Sequence, residues 1–165
     1  GTRPHVFGDA CRLPFADGSV AAVTCYEVIE HVRDPEALIS EVARVLVAGG
    51  VAEFTMPFLY PIHDAPHDYQ RWTRYGWERS LTANQLSLVR MRSGNHPVHA
   101  GAVMAALAVS GPLQQLRGWA LAWRLPIAAT LLLVINLTAK VLGWVWPGWD
   151  AMASSYRVLV RKPGG

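Results

Sequence analysis

The sequence is short of concentrated charge. Its 15 lysines and arginines against 12 acidic residues leave a net charge of +3, and the basic residues are scattered. A nucleic-acid groove needs a basic stripe, so no nucleic acid is expected as a partner. Arg71, Arg74 and Arg79 come nearest to a cluster and read as one solvated helix face. Cysteine is scarce too: the spacing of Cys11 and Cys25 fits neither a metal site nor a redox pair, and Cys25, inside an apolar run, reads as a small core filler. No signal peptide opens the chain. It starts at glycine, with a strand fragment, His5-Val6-Phe7, close behind, which looks like a start in the middle of a fold. Internal repeats are absent. The very apolar late segment is interrupted as well: its uncharged stretch 125–139 has 15 residues, short of the roughly 20 that a membrane span needs.

What is present is a strand–helix–strand unit over residues 20–57. Val20-Ala21-Ala22-Val23-Thr24-Cys25-Tyr26 is an apolar, partly β-branched run, expected to be a strand buried on both faces. Glu27-Val28-Ile29-Glu30-His31 is its exit loop. Asp34 can cap a helix and Pro35 suits its first position. Leu38, Ile39, Val42, Val45 and Leu46 fall on one helical stripe, and Gly49 and Gly50 are expected to stop the helix by allowing positive φ. Val51-Ala52-Glu53-Phe54-Thr55-Met56-Pro57 is the next strand. Such a unit makes a right-handed parallel crossover, and open sheets of this kind bind ligands beyond the carboxyl ends of their strands. That edge collects Asp9-Ala10, residues 25–31 and residues 56–67.

Downstream, residues 58–73 form an aromatic, histidine-rich loop without periodicity. Thr73 can cap a helix starting at Arg74 with Trp77 and Leu81 inward. Residues 86–92 alternate as a strand, 100–110 read as a helix broken by Gly111-Pro112, and 155–162 close the chain as a strand. Residues 116–146 are very apolar, interrupted by Arg117, Arg124, Pro126, Asn136 and Lys140. The expected organisation is a partial α/β core over 1–99, an apolar helical insertion over 100–150 and a closing strand of the core over 151–165. Because both late strands must reach one sheet, the insertion crosses a bilayer an even number of times or not at all. Two readings stay open. The insertion packs on its own domain or on another copy of the chain. Alternatively it lies in a membrane surface, with Trp119, Trp123, Trp144, Trp146 and Trp149 near the headgroups and Arg117, Arg124 and Lys140 snorkelling outward. The expectation is a cytoplasmic protein with a possible membrane-surface or homo-oligomer contact through 116–146, and no spanning helix.

Two clusters can carry chemistry. Asp9, directly after the first strand fragment, can accept a hydrogen bond from an amino group, or simply close an Asx turn. Phe15 is an apolar lid over a base, or core. The second cluster, His63-Asp64-Ala65-Pro66-His67-Asp68, offers two imidazoles and two carboxylates. Zinc can bind such a set, but Pro61 and Pro66 argue against the helix that its spacing fits. No metal is expected; a substrate loop is, with Tyr69, Arg71, Trp72 and Tyr75 as an aromatic wall and a cation.

The string Gly8-Asp9-Ala10-Cys11-Arg12-Leu13-Pro14-Phe15-Ala16-Asp17-Gly18-Ser19-Val20, then Glu30-His31-Val32-Arg33-Asp34-Pro35, Arg44-Val45-Leu46 and Gly49-Gly50, resembles the class I S-adenosylmethionine-dependent methyltransferases, in particular their type 11 branch. The resemblance covers about residues 5–75. It implies a Rossmann-like α/β sheet with a reversed last strand, an S-adenosylmethionine cofactor and a small-molecule or lipid-like acceptor. It implies that Asp9 and Ala10 meet the adenine, that Leu13 and Phe15 line its pocket, and that Tyr26 and Glu27 lie under the methionine part. His31, near the substrate, joins His63 and His67 as the candidate bases. The glycine-rich Gly-x-Gly-x-Gly loop of the family occurs nowhere in the chain, and Val47-Ala48 stands for its usual lysine-proline. The adenine half-site is therefore expected, and the ribose and methionine-carboxylate half-sites are not. The alternative is a catalytically inactive, truncated relative that serves as an interaction or structural module.

Overall fold

A computed structural model describes residues 5–164. The described residues divide into two compact units: residues 5–58, 62–92 and 155–164 in the first, and 59–61 with 93–154 in the second.

The first unit is a four-stranded sheet, β1 (Val20–Tyr26), β2 (Leu46–Pro57), β3 (Ser87–Ser93) and β4 (Ser155–Arg161), in the order β1-β2-β4-β3. β1 and β2 run parallel, with Cys25 opposite Phe54 and Tyr26 opposite Thr55. β4 runs antiparallel to β2, with Val158 opposite Phe54. The sheet is thus α/β and Rossmann-like, with a reversed closing strand, and an apolar helical segment is inserted before that strand.

Helix α1 (Pro35–Val45) is the crossover. The Asp34 carboxylate accepts a hydrogen bond from Ala37 N at 3.0 Å, satisfying one of the amides that a helix start leaves open. Its stripe Leu38, Ile39, Val42 and Val45 is buried. Helix α2 (Arg74–Ala83) starts at its Thr73 cap. It lays Trp77 against Phe54 of β2, ring centroids 5.8 Å apart, and against Trp72 at 5.1 Å. Ser80 Oγ donates to Glu36 Oε2 at 2.7 Å and ties α2 to α1. β2 buries alternate residues, Ala52, Phe54 and Met56, while β4 buries Tyr156, Val158 and Val160.

Three expectations about the strands and the end of α1 need correction. Residues 5–7 form no strand: Phe7 is 86% exposed, and no strand runs beside it among the described residues to take its backbone groups. β1 is not buried on both faces. Ala21, Ala22, Thr24 and Tyr26 are exposed because β1 is an edge strand of the described sheet. Gly49 and Gly50 do not end α1, since Leu46 already has strand geometry. The two glycines sit inside β2, where the register slips between Val20 and Ala22 of β1. Gly49 takes φ +78°, and a Cβ on Gly50 would lie 2.9 Å from the Val47 carbonyl oxygen, so the bulge requires both.

The second unit holds α3 (Pro97–Ser110), α4 (Gly118–Ala122) and α5 (Arg124–Val145). α3 packs along α5. The contact face of α5 is narrow: Ala128 and Ala139 are buried, and a Cβ on Gly143 would lie 2.7 Å from His99 Cε1. His96 caps α3, and its Nε2 lies 3.1 Å from the Trp146 carbonyl at the end of α5. Pro126 falls in the first turn of α5, where its missing N–H costs no bond. Stretch 118–145 is long and apolar enough to cross a membrane, which corrects the expectation drawn from the shorter uncharged run. The helix carries Lys140 within it.

Replacing Asp34 with Ala should lower stability by about 1 kcal/mol through the lost cap. Denaturant titration should show a lower midpoint with an unchanged slope, and Asp34→Asn should restore most of the loss.

Candidate functional site

The carboxyl ends of β1 and β2 open at one edge because the strands are parallel. β1 leaves the sheet through Glu27, held at φ +52°, whose N–H donates to the Thr55 carbonyl at 3.1 Å. A single 3-10 turn, Ile29–His31, follows. The loop after β2 then lies on that turn. Tyr69 N donates to the Glu30 carbonyl at 2.8 Å, and the Gln70 carboxamide donates to the carbonyls of Ile29 and Val32.

The histidines meet here. His31 Nδ1 is 2.6 Å from the His67 carbonyl oxygen. A carbonyl only accepts, so Nδ1 carries the proton and Nε2 is the basic nitrogen. The His31 and His63 rings meet edge to face with centroids 4.8 Å apart. His63 Nδ1 lies 3.3 Å from Asp68 Oδ2. The Asp68 side chain is 3% exposed and is clasped by the Arg71 guanidinium, which holds its carboxyl well below the usual carboxylate range. Arg71 is therefore a structural cation and not part of a solvated helix face. His67 is turned to a different partner: its Nδ1 is 2.9 Å from the Tyr69 hydroxyl, which itself accepts from Arg33 Nε at 3.1 Å.

Sequence reasoning gave Glu30 no role beyond its place in the resemblance. Its side chain is 0% exposed, and neither carboxylate oxygen has a hydrogen-bond partner. Burial pushes its pKa up, with a small contribution from Glu27. The available signal was a lone acid in the otherwise apolar Val28-Ile29-Glu30. Burial, then the charge of Glu30, push the Cys25 thiol up to about 11.

The other predicted residues are held elsewhere. Asp9 Oδ1 accepts from Cys11 N at 2.8 Å, an Asx turn. Leu13 N donates to Glu41 Oε2 at 2.8 Å. Arg44 donates to the carbonyls of Leu13 and Phe15 at 3.1 and 2.9 Å, and it also pairs with Glu41 and Asp17. The Ala10 to Phe15 loop is thus pinned to α1 and leaves the Phe15 ring 43% exposed. Tyr26 ends β1 with its hydroxyl on Glu53.

A parallel crossover with its polar groups beyond the strand ends, closed by a reversed strand, is the class I S-adenosylmethionine-dependent methyltransferase fold, and the chain has it. A family model described as a methyltransferase domain matches residues 2–54. A demethylmenaquinone methyltransferase of Parafrankia sp. (strain EAN1pec) is 31% identical over 163 residues, 96% of this chain and 52% of that protein. The corresponding enzyme of Mycolicibacterium vanbaalenii is 49% identical over 57 residues, 33% of this chain and 25% of that protein. The matched stretches cover a quarter of the one relative and about half of the other, and the chain taken nearly whole spans about half of the latter. Among solved structures, geranyl diphosphate C-methyltransferase from Streptomyces coelicolor A3(2) superposes with TM-score 0.53 at 16% identity, covering 94% of this chain and 52% of that one. The cyclase SpnF does so with 0.54 at 18%, covering 96% and 55%. These two likenesses show the fold alone, and the second shows that the fold also serves a cyclase.

With so high a pKa, Cys25 holds little thiolate at about pH 8. In a Cys11→Ser background its alkylation by iodoacetamide should run about two orders of magnitude slower than that of an exposed thiol, as read by mass spectrometry of the folded chain.

Proposed function

We propose that the chain takes part in S-adenosylmethionine-dependent methyl transfer to a small, lipid-like acceptor. The observation that carries this reading is the pair of imidazoles, His31 and His63, 4.8 Å apart at the carboxyl edge of β1 and β2 in a methyltransferase fold. The described residues fit the adenine end of the cofactor. Asp9 is an exposed carboxylate that opens the turn, Ala10 follows it, Leu13 is fixed on α1 by Glu41 and Arg44, and Phe15 presents a ring. Tyr26 and Glu27 stand at the β1 end for the methionine part. No Gly-x-Gly-x-Gly loop is present in the chain to cradle the rest.

The cofactor supplies a sulfonium methyl that is already reactive. The protein must hold the acceptor atom in line, exclude water and take a proton where the acceptor has one. His31 suits the last task, because its Nδ1–H donation to the His67 carbonyl leaves Nε2 basic. His63 Nδ1 faces both Asp68 Oδ2 at 3.3 Å and the Arg71 guanidinium at 3.4 Å. His67 is held by the Tyr69 hydroxyl and serves to position His31 through its carbonyl. Tyr69 stands beside the cluster, and Trp72 and Tyr75 follow it in the chain as further acceptor-contact candidates.

The acceptor class rests on two supports. The sequence relatives are named for demethylmenaquinone. The second unit exposes an apolar face through Leu133, Leu137, Val141 and Trp144. We read that unit as a helical hairpin at the surface of a cytoplasmic membrane. Its chain leaves one sheet and returns to it, which excludes a single crossing. Arg124 lies over the Trp123 ring at 4.0 Å, the pairing suited to an interfacial belt. The same apolar face supports the second reading, an interaction module that joins a second copy of the chain.

Labelled methyl transfer from S-adenosylmethionine to a demethylated naphthoquinol should be detectable in the organic extract. Asp9→Ala should raise the cofactor KM, and His31→Ala should cost roughly 100-fold in kcat; equal turnover in both variants sinks the assignment. For the membrane, the double variant Leu133→Glu, Leu137→Glu should co-sediment with phosphatidylglycerol vesicles at least about tenfold less than wild type. Unchanged partitioning with a loss of dimer favours the module reading.

A further inference from the structure

The feature that methyl transfer leaves unexplained is Glu30. A carboxylate wholly removed from solvent is destabilising unless something compensates it, as when one partner of a buried pair is taken away. Here neither oxygen accepts a hydrogen bond. The nearest ion-pairing group is His31, with Nε2 3.8 Å from Glu30 Oε1. That nitrogen is unprotonated in the neutral ring, since Nδ1 carries the proton for the His67 carbonyl. Two lone-pair atoms therefore face each other across a gap that is too wide for a hydrogen bond and of the size that a bridging cation fills.

The third side of the gap is His63. One ligand atom from each of Glu30, His31 and His63 lies within 4.8 Å of the others. Ligands on one tetrahedral zinc ion sit about 2.0–2.2 Å from it, so small side-chain rotations bring three such atoms onto a common centre. Asp64 Oδ2 approaches His31 Nε2 from the solvent side at 3.9 Å, where a fourth ligand or a water would enter. The outer shell is also in place. Metal-bound histidines usually give their second N–H to a backbone carbonyl or a carboxylate. His31 faces the His67 carbonyl at 2.6 Å, and His63 faces Asp68, itself fixed by Arg71, at 3.3 Å.

We propose that Glu30, His31 and His63 form a binding site for a divalent transition-metal ion, with Asp64 or water completing it. Two imidazoles and one carboxylate suit zinc and the first-row ions rather than magnesium or calcium, which prefer oxygen ligands throughout. The site differs from the one that sequence spacing suggested. His67, four residues from His63, is turned to Tyr69, and the second imidazole comes from the turn after β1. An ion here occupies the basic nitrogens of His31 and His63, so the two roles exclude each other. With the ion bound, an acceptor hydroxyl at the open position would be made more acidic by coordination, and its proton would pass to solvent instead.

The test uses the chelator-stripped, untagged chain with no cofactor or acceptor, so it stands apart from methyl transfer. Isothermal titration with zinc should show one equivalent bound, and cobalt in its place should give the visible absorption of a low-coordinate site. Glu30→Gln keeps shape and removes the charge. It should leave the metal-free Tm unchanged or higher, weaken zinc binding by at least about 10–100-fold and abolish the zinc-induced rise in Tm. His63→Ala should also lose binding, and His99→Ala, in the second unit, should keep it. Absence of stoichiometric binding in wild type, or equal affinity in wild type and a folded Glu30→Gln, overturns the proposal.

Discussion

The parallel pairing of β1 with β2 is the constraint on which the rest depends. It obliges the chain to cross over through α1 and delivers both strand exits to one edge. The exit of β1 must then turn at once, and its backbone groups need partners. The loop after β2 provides them, through the amide of Tyr69 and the carboxamide of Gln70. The histidine loop has no regular structure of its own. Its order is borrowed from the turn it covers, and so His31 and His63, 32 positions apart by number, come to share a site.

Much of this was legible in the sequence because it rests on local chemistry. Asp34-Pro35 before a periodic apolar stripe marks a helix start, and Thr73 before Arg74 marks another. The alternation in 86–92 and 155–162 identifies the late strands. What was not legible depends on neighbours. A strand's burial is set by what lies beside it, so the apolar run of β1 could not reveal that it stands at an edge. Glycine pairs mean positive φ or close approach, but only the register shows that Gly49 and Gly50 serve a bulge rather than a helix stop. At the site, the residue types were visible and their partners were not. Arg71 looked like one of three exposed arginines until Asp68 was found in its grasp. Glu30 drew no attention beyond its motif, because orphaned burial is a property of three dimensions.

The two units answer to different rules. In the first, apart from Glu30, many polar side chains are matched in pairs: Glu41 and Arg44 hold the 8–19 loop, Glu36 holds Ser80, and Asp68 holds Arg71. The second carries few charges, Arg117, Arg124, Lys140 and Asp150, and shows broad apolar surface outward. A fold that hosts both methyltransferases and a cyclase leaves its chemistry to the residues of the site.

The close approach of α5 to α3 at Gly143 has a consequence for cohesion. Helices in water are driven together by the surface they hide, and that drive vanishes when the surroundings are themselves oily. Helices that meet through alanine and glycine cohere instead by close backbone approach and dispersion, which survive a change of medium. With Ala128, Ala139 and Gly143 on its inner face and its large side chains outward, α5 keeps the same grip whether it is bathed in water or in acyl chains.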